Sequence, residues 1–312
     1  MDKKESMIKS VMIGHAVGDA LGVPVEFSTR VSLKKDPVKD MRGYGSYPVP
    51  PGAWSDDTSM SVAALDSLAE GKIDYEEIMQ NFLKWAKLDD YTPTGVMFDI
   101  GSTCRKAIGR FIDGERALDC GLPYENANGN GSLMRIHPFV LMAWFSERLY
   151  PEWEMVVTNA SFLTHSHERS VLACKIYARV LFALMREPTS ESVRCALREA
   201  GEIYADSSEY CVYKRLFSPD FAELPAHMIR SSGYVVDTLE AAIWCLLTTE
   251  TYAECVLKAV NLGEDTDTVG AVAGGLAGAL YGYDAIPKEW RDKLIRREYI
   301  EAMCERAANT WR

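Results

Sequence analysis

Apolar residues recur at helical spacing almost from the start of this chain. In "SMIKSVMIGHAVGDAL", Met7, Ile8, Val11, Met12 and Ala16 fall on one stripe. In "DYEEIMQNFLKWAKL", Ile78, Phe82, Trp85 and Ala86 form another, behind acids that suit the first turn of a helix. "SVLACKIYARVLFALM", "VVDTLEAAIWCLLT" and "EWRDKLIRREYIEAMCERAA" continue the pattern. The alternation expected of a half-buried strand is rare. Gly/Pro-rich loops interrupt the helices at residues 39–54 and 122–132, and 207–233 is irregular. No repeat and no low-complexity linker is visible. The pattern predicts one all-α domain, residues 1–312, of about a dozen helices with three or four long loops. Loops that long in a compact domain are often functional.

Composition narrows the classes of function. The net charge of −11 argues against sequence-independent binding to nucleic acid or to an anionic membrane, both of which need a basic face. The longest uncharged run, Thr268 to Tyr283, is too short and too rich in Gly and Ala to span a bilayer comfortably. Eight cysteines are scattered with no C-x-x-C pair, so they read as small buried hydrophobes in a reducing compartment. The first residues, "MDKKESM", carry charge with no apolar run behind it. A cytoplasmic protein is expected.

Two helix starts carry more acid than a helix needs. "WSDDTSM" sets Asp56 beside Asp57, flanked by Ser55 and Thr58. "GEDTDTVGAV" alternates Asp265 and Asp267 with Thr266 and Thr268. N-capping alone accounts for one oxygen per helix. Divalent cations account for the surplus, because carboxylates and hydroxyls are hard ligands suited to Mg²⁺, Mn²⁺ or Ca²⁺. Without a cation, clustered acids raise one another's pKa values. Glu26, among Val23, Val25 and Phe27, is either a surface residue or a buried functional acid. Asp99, in "VMFDIGSTCRKAIGRF", is either the N-cap of the helix through Ile108 or a general acid or base. "NGNGSLMRIHP" combines two Asn-Gly steps with an expected helix start at Ser132, so it reads either as a plain tight turn or as an amide nest for phosphate. His165 and His167 lack the partners of a zinc site; each reads as a hydrogen-bonding or as a structural histidine.

Taken in order, "GHAVGDALGVPVEF", "WSDDTSM", "FDIGST", "NGNGSLMRIHP", "THSHERS", "SGYVVDTLEAAIW" and "GEDTDTVGAVAGGLAGALYG" resemble the ADP-ribosylglycohydrolases, in particular the dinitrogenase-reductase-activating type. The resemblance runs from residue 14 to residue 282. It implies a single compact, orthogonal all-α domain around a dinuclear metal cleft that holds two Mg²⁺ or Mn²⁺ ions. Carried over residue by residue, Ser55, Asp56, Asp57, Asp265, Asp267 and Thr268 are the implied metal ligands. Asp99 and Glu26 are the implied catalytic acids. Gly129, Gly131 and Ser132 would contact the diphosphate or distal ribose, His165 would lie beside it as part of the substrate site, and Tyr234 would stack on adenine. Ser55 stands where the family often has Thr, and keeps the hydroxyl.

The implied function is hydrolysis of ADP-ribose from a modified protein side chain, N-linked ADP-ribosyl-arginine first, with ADP-ribose as product and a monomer as the working form. ADP-ribosyl-serine or O-acetyl-ADP-ribose hydrolysis, and a catalytically silent ADP-ribose-binding or structural relative, are the alternatives. A prenyl-synthase D-D-x-x-D motif is the weaker rival, since Met60 occupies its last position.

Overall fold

A computed structural model describes residues 2–311. Its helices are α1 (Lys3–Gly22), α2 (Arg30–Lys35), α3 (Asp56–Leu68), α4 (Tyr75–Leu88), α5 (Ser102–Ile112), α6 (His137–Phe145), α7 (Trp153–Phe162) and α8 (Glu168–Arg186). They continue with α9 (Ser190–Ile203), α10 (Tyr210–Tyr213), α11 (Val235–Leu247), α12 (Tyr252–Val260), α13 (Thr266–Tyr281), α14 (Lys288–Lys293) and α15 (Arg297–Thr310). Among the described residues there is no sheet. Two isolated bridges, Leu122 to His165 and Gly129 to Tyr234, tie loops together. The all-α expectation holds, with more helices than the dozen expected, because several are of six residues or fewer.

The α4 helix forms for the reasons its sequence gives. Asp74 caps it by accepting the Glu77 N–H at 3.1 Å, and Ile78, Phe82 and Trp85 are buried. The α1 helix departs from its expected single stripe. From Ser10 onward every residue is buried, including His15 and Asp19. A helix wrapped on all sides sits in the middle of a fold, and amphipathicity is then no guide to its faces.

The partner that matters most to α1 is α13, and their contact is backbone on backbone. A Cβ on Gly18 would lie 2.0 Å from the Gly270 carbonyl oxygen. One on Gly278 would lie 2.1 Å from the Ser10 oxygen, and one on Gly22 2.3 Å from Asp267 Cα. Gly18 and Gly22, four apart on one face, let α1 come this close to α13. Beyond α1, Phe27 N donates to the Glu264 oxygen at 2.7 Å and Glu264 N donates to the Ser28 oxygen at 2.8 Å. These bonds zip the loop after α1 to the loop before α13. Trp54 Nε1 donates to the Ile295 oxygen at 2.9 Å and anchors the long loop that leads into α3.

One continuous apolar core runs from Ile8 to Trp311. Six cysteines are buried in keeping with expectation, but Cys195 is partly exposed and Cys211 exposed, and all eight are free. No described helix is long and apolar enough to cross a membrane.

The glycine contact generates a stability prediction. Gly18→Ala must push α1 off α13 and should cost about 3 kcal/mol or more, because no flexible side chain can yield. Urea denaturation beside the wild type measures this. A difference under about 0.5 kcal/mol, the range of ordinary surface substitutions, would rule out the packing argument.

Candidate active site

Asp19 stands at the centre of the site, though no sequence pattern singled it out. It is fully buried in the last turn and a half of α1. It accepts the backbone N–H of Ser55 at 2.9 Å and of Thr58 at 3.0 Å, and the Thr58 hydroxyl at 2.6 Å. Much of the capping of α3 is thus done from another helix. Burial raises the Asp19 carboxyl to about 6 against these bonds.

With part of the capping taken over, the local acids are free to point elsewhere. The Ser55 hydroxyl accepts from Asp57 N at 3.4 Å and donates to Asp57 Oδ2 at 3.0 Å. Thr268 Oγ1 donates to the same oxygen at 3.3 Å, joining α13 to α3. Asp57 Oδ1 is buried without a partner. Burial, with Asp19 and Asp56 beside it, raises Asp57 well above the ordinary carboxylate range. Burial does the same to Asp56, with Asp99 the next cause, and to Asp267, with Glu26 next. Asp265 occupies the N-cap position of α13 but makes no capping bond. Its Oδ2 accepts instead from Asn130 Nδ2 at 2.8 Å.

The structure removes one alternative for each of the lone acids. Glu26 is 7% exposed, so the surface alternative fails; the chain turns it inward after the Val23–Val25 turn. Burial first, then Asp99, raises it to about 8, while a hydrogen bond from Tyr47 opposes the shift. Glu26 Oε2 is also buried and unpartnered. Asp99 is not a helix cap: Gly101 holds that position for α5. Asp99 sits in the left-handed region at φ 56°, which Asp tolerates better than most residues. Burial, then Asp265, raises its carboxyl, opposed by the Ile100 N–H and Tyr47.

Asp19, Asp57 and Asp267 place carboxylate oxygens within 4.8 Å of one another, and Glu26, Asp99 and Asp267 do likewise. The two trios share Asp267. None of these acids, nor Asp56 or Asp265, has an ion-pair partner among the described residues. Hard oxygens, no internal counter-charge and two orphaned buried carboxylate oxygens fit a divalent cation.

Glu26, Asp56, Asp99, Asp265 and Thr268 open onto one cleft of about 290 Å³. That volume is at the lower end of the usual range for a small-molecule site. Its other wall is the Asn-Gly turn, where Gly129, Asn130 and Gly131 face His165 and Gly233. Neither Gly129 nor Gly131 has positive φ. Gly131 is required by crowding instead, since a Cβ there would lie 2.7 Å from Cys104 Sγ. Two expectations on this wall are corrected. The helix begins at His137 rather than Ser132. The Ser132 hydroxyl is fully buried, 3.0 Å from Ser161 Oγ, so that side chain faces the protein interior and not the cleft. Tyr234 is half-buried beside the turn, with the Arg169 guanidinium 5.8 Å from its ring centre. His167 caps α8 by accepting from Arg169 N at 3.1 Å. Asn130, between two glycines, and Tyr47, in a Pro-rich loop, escaped the sequence reading because neither spacing nor periodicity marks them.

These features define an enzyme cleft with a carboxylate end and an amide-lined end. The chain belongs to the ADP-ribosylglycohydrolase family, whose model matches residues 1–312. It is 33% identical over 309 residues to the ADP-ribosylarginine hydrolase Tri1 of Serratia proteamaculans, covering 95% of this chain and 77% of that one. It is 32% identical over 287 residues to the ADP-ribosyl-[dinitrogen reductase] glycohydrolase of Rhodospirillum rubrum, covering 90% and 88%. A solved structure titled ADP-ribosylglycohydrolase-related protein complex superimposes with a TM-score of 0.84 at 29% identity, over the full length of both chains.

The raised carboxyls make a pH prediction for the ion-free protein. Unfolded carboxyls titrate near 4, while Asp19 and Glu26 hold protons up to about 6 and about 8. Between those limits the native state binds more protons, so these groups lower stability as pH rises through the window. The melting temperature of EDTA-treated protein should fall from about pH 5 to pH 8, and less so in Glu26→Gln. Added Mg²⁺ or Mn²⁺ should raise it most at the upper end. Equal pH profiles for wild type and Glu26→Gln, with no cation effect, would remove the argument.

Proposed function

We propose that the chain, working as a single domain over residues 1–312, is a divalent-cation-dependent hydrolase that releases ADP-ribose from modified arginine side chains. The observation that carries this is the pair of carboxylate trios sharing the buried Asp267, of which Glu26 and Asp99 open onto the cleft. The names of the relatives support the arginine linkage. Two Mg²⁺ or Mn²⁺ ions are the cofactors that the shared-ligand arrangement supports best, with Asp19 added to Ser55, Asp56, Asp57, Asp265, Asp267 and Thr268 as candidate residues to hold them.

The reaction breaks the bond between C1″ of the distal ribose and a guanidine nitrogen. Water adds to C1″ and the leaving nitrogen takes a proton. When bound, the ions supply positive charge that fixes ribose hydroxyls and lowers the pKa of water. The rest falls to side chains. Asp99, at the mouth, accepts the N–H groups of the planar guanidinium and holds it for departure. Glu26, raised by its burial, shares proton transfer with Asp99. Tyr47 lies beside both carboxyls and opposes the rise of each. The backbone at Gly129 and Gly131 lets diphosphate oxygens approach closely, the Asn130 N–H being already given to the Gly233 oxygen at 3.1 Å, and Tyr234 offers a face to adenine.

Binding and chemistry should separate. Asp99→Asn should hold ADP-ribose within a few-fold of wild type, yet lower turnover by about 10²–10⁴. Asp267→Asn should lose cation binding and activity together, read by calorimetric titration with Mn²⁺. Wild-type turnover in Asp99→Asn would transfer the proton to Glu26.

Linkage preference is tested by kcat/KM on matched peptides carrying ADP-ribosyl-arginine or ADP-ribosyl-serine, with Mn²⁺ present. Arginine should be favoured, since a serine oxygen offers Asp99 no cation to hold. Serine cleavage as fast as arginine cleavage would overturn the linkage and leave the hydrolase reading standing.

A further inference from the structure

Behind the amide-lined end of the cleft lies a buried cation that no acid neutralises. Arg135 is 0% exposed. Its Nη1 donates to the Ala160 oxygen at 3.1 Å and its Nη2 to Thr164 Oγ1 at 2.7 Å. The guanidinium lies 4.8 Å from the centre of the Phe82 ring, and Nε has no partner. Among the described residues no carboxylate pairs with it. An uncompensated buried charge is costly, so its retention calls for a reason.

Thr164 Oγ1 is also 2.7 Å from His165 Nδ1. A hydroxyl has a single proton. Its oxygen already accepts from Arg135, and its proton goes to the good acceptor in reach, His165 Nδ1. The other neighbour, Cys104 Sγ, is a weak acceptor. A neutral imidazole whose Nδ1 accepts must carry its proton on Nε2. That nitrogen faces the turn: it lies 3.8 Å from where a Cβ on Gly129 would sit and 3.6 Å from one on Gly131, and His165 lines the cleft. The main chain of His165 is fixed as well, its N–H donating to the Ser161 oxygen at 2.7 Å and its oxygen accepting from Ser161 Oγ at 2.8 Å. Burial, then the charge of Arg135, pushes the imidazole down to about 3, so the ring stays neutral at ordinary pH.

We propose that Arg135 and Thr164 are positioning residues that lock His165 as the Nε2–H tautomer, a fixed neutral donor aimed at an anionic oxygen of the ligand beside Gly129 and Gly131. The opposite tautomer would present a lone pair there and repel a phosphate oxygen. A protonated histidine would be drawn towards the carboxylate end. Arg135 therefore supplies positive potential behind the donor without itself entering the cleft. The assignment of that oxygen to a diphosphate rests on the function proposed above; the tautomer does not.

Proton-detected ¹⁵N spectra of histidine-labelled, ligand-free protein test the lock, with His165→Ala to assign the signal. Wild type should show His165 as a single Nε2–H tautomer. Thr164→Val, which keeps shape and removes the hydroxyl, should mix the tautomers. It should weaken ADP-ribose binding and raise KM about ten- to hundredfold, the span for a hydrogen bond to a charged group, with kcat within about twofold. Thr164→Ser should restore both the spectrum and KM, which a purely structural role would not require. An Nδ1–H signal in wild type, or a Thr164→Val protein with unchanged tautomer and KM, overturns the proposal. Wild-type protein that holds the Nε2–H tautomer but binds no ADP-ribose supports the lock and overturns the ligand reading instead.

Discussion

Everything at the floor of the cleft depends on two helices touching backbone to backbone. Gly14 and Gly18 of α1 face Gly274 and Gly270 of α13, Gly22 meets Asp267 and Gly278 meets Ser10, with no room for a methyl group at any of them. The contact holds the two backbones directly against each other. Asp19 follows Gly18 directly, and Asp267 packs its Cα against Gly22. The carboxylates meet because the backbones cannot part. An interface of larger residues would hold α1 and α13 farther apart and pull the trios open. It would also remove Asp19 from the start of α3, which depends on that acid for two N–H partners.

This arrangement sets stability against function. Packing and helix capping force at least four acids into a volume where burial and mutual repulsion oppose their ionisation. The opposing energy is carried by the apolar core, which spans nearly the whole chain. Buried charge of one sign with no internal counterpart is a sign of a site that expects its partner from solution.

What the sequence revealed and what it hid divide along physical lines. Helical periodicity and the two doubled acid motifs were legible because each is local, a matter of spacing within one segment. Glu26 and Asp99 were legible as chemical oddities, but their burial and backbone conformation depend on loops zipped by Phe27 and Glu264 and on Tyr47 from a distant turn. Asp19 was hidden because a single acid in a helix buried on all sides has no period to betray it. Ser132 misled because a serine after Asn-Gly looks like a cap, whereas here its hydroxyl is used inside the protein. Nothing in "SLMRIHP" marks Arg135; its lack of an acidic partner among the described residues is a property of the folded chain alone.

The two ends of the cleft then have opposite electrostatic character, and that contrast does more than either end alone. Asp56, Asp57 and Asp267 are deeply buried at one end. The other end combines backbone amides with a neutral histidine backed by Arg135. A diphosphate placed beside the acids would face charge repulsion in a poorly screened setting, while a neutral ribose would not. For the ligand proposed above, anionic in the middle and neutral at its reacting sugar, such a contrast favours one direction of entry. Half-exposed Asp99 and Asp265 lie at the border, where the side chain being released must leave for water. On the function proposed above, orientation comes before chemistry: Arg135 behind His165 favours the anionic part of the ligand at that end and leaves the sugar to the carboxylates.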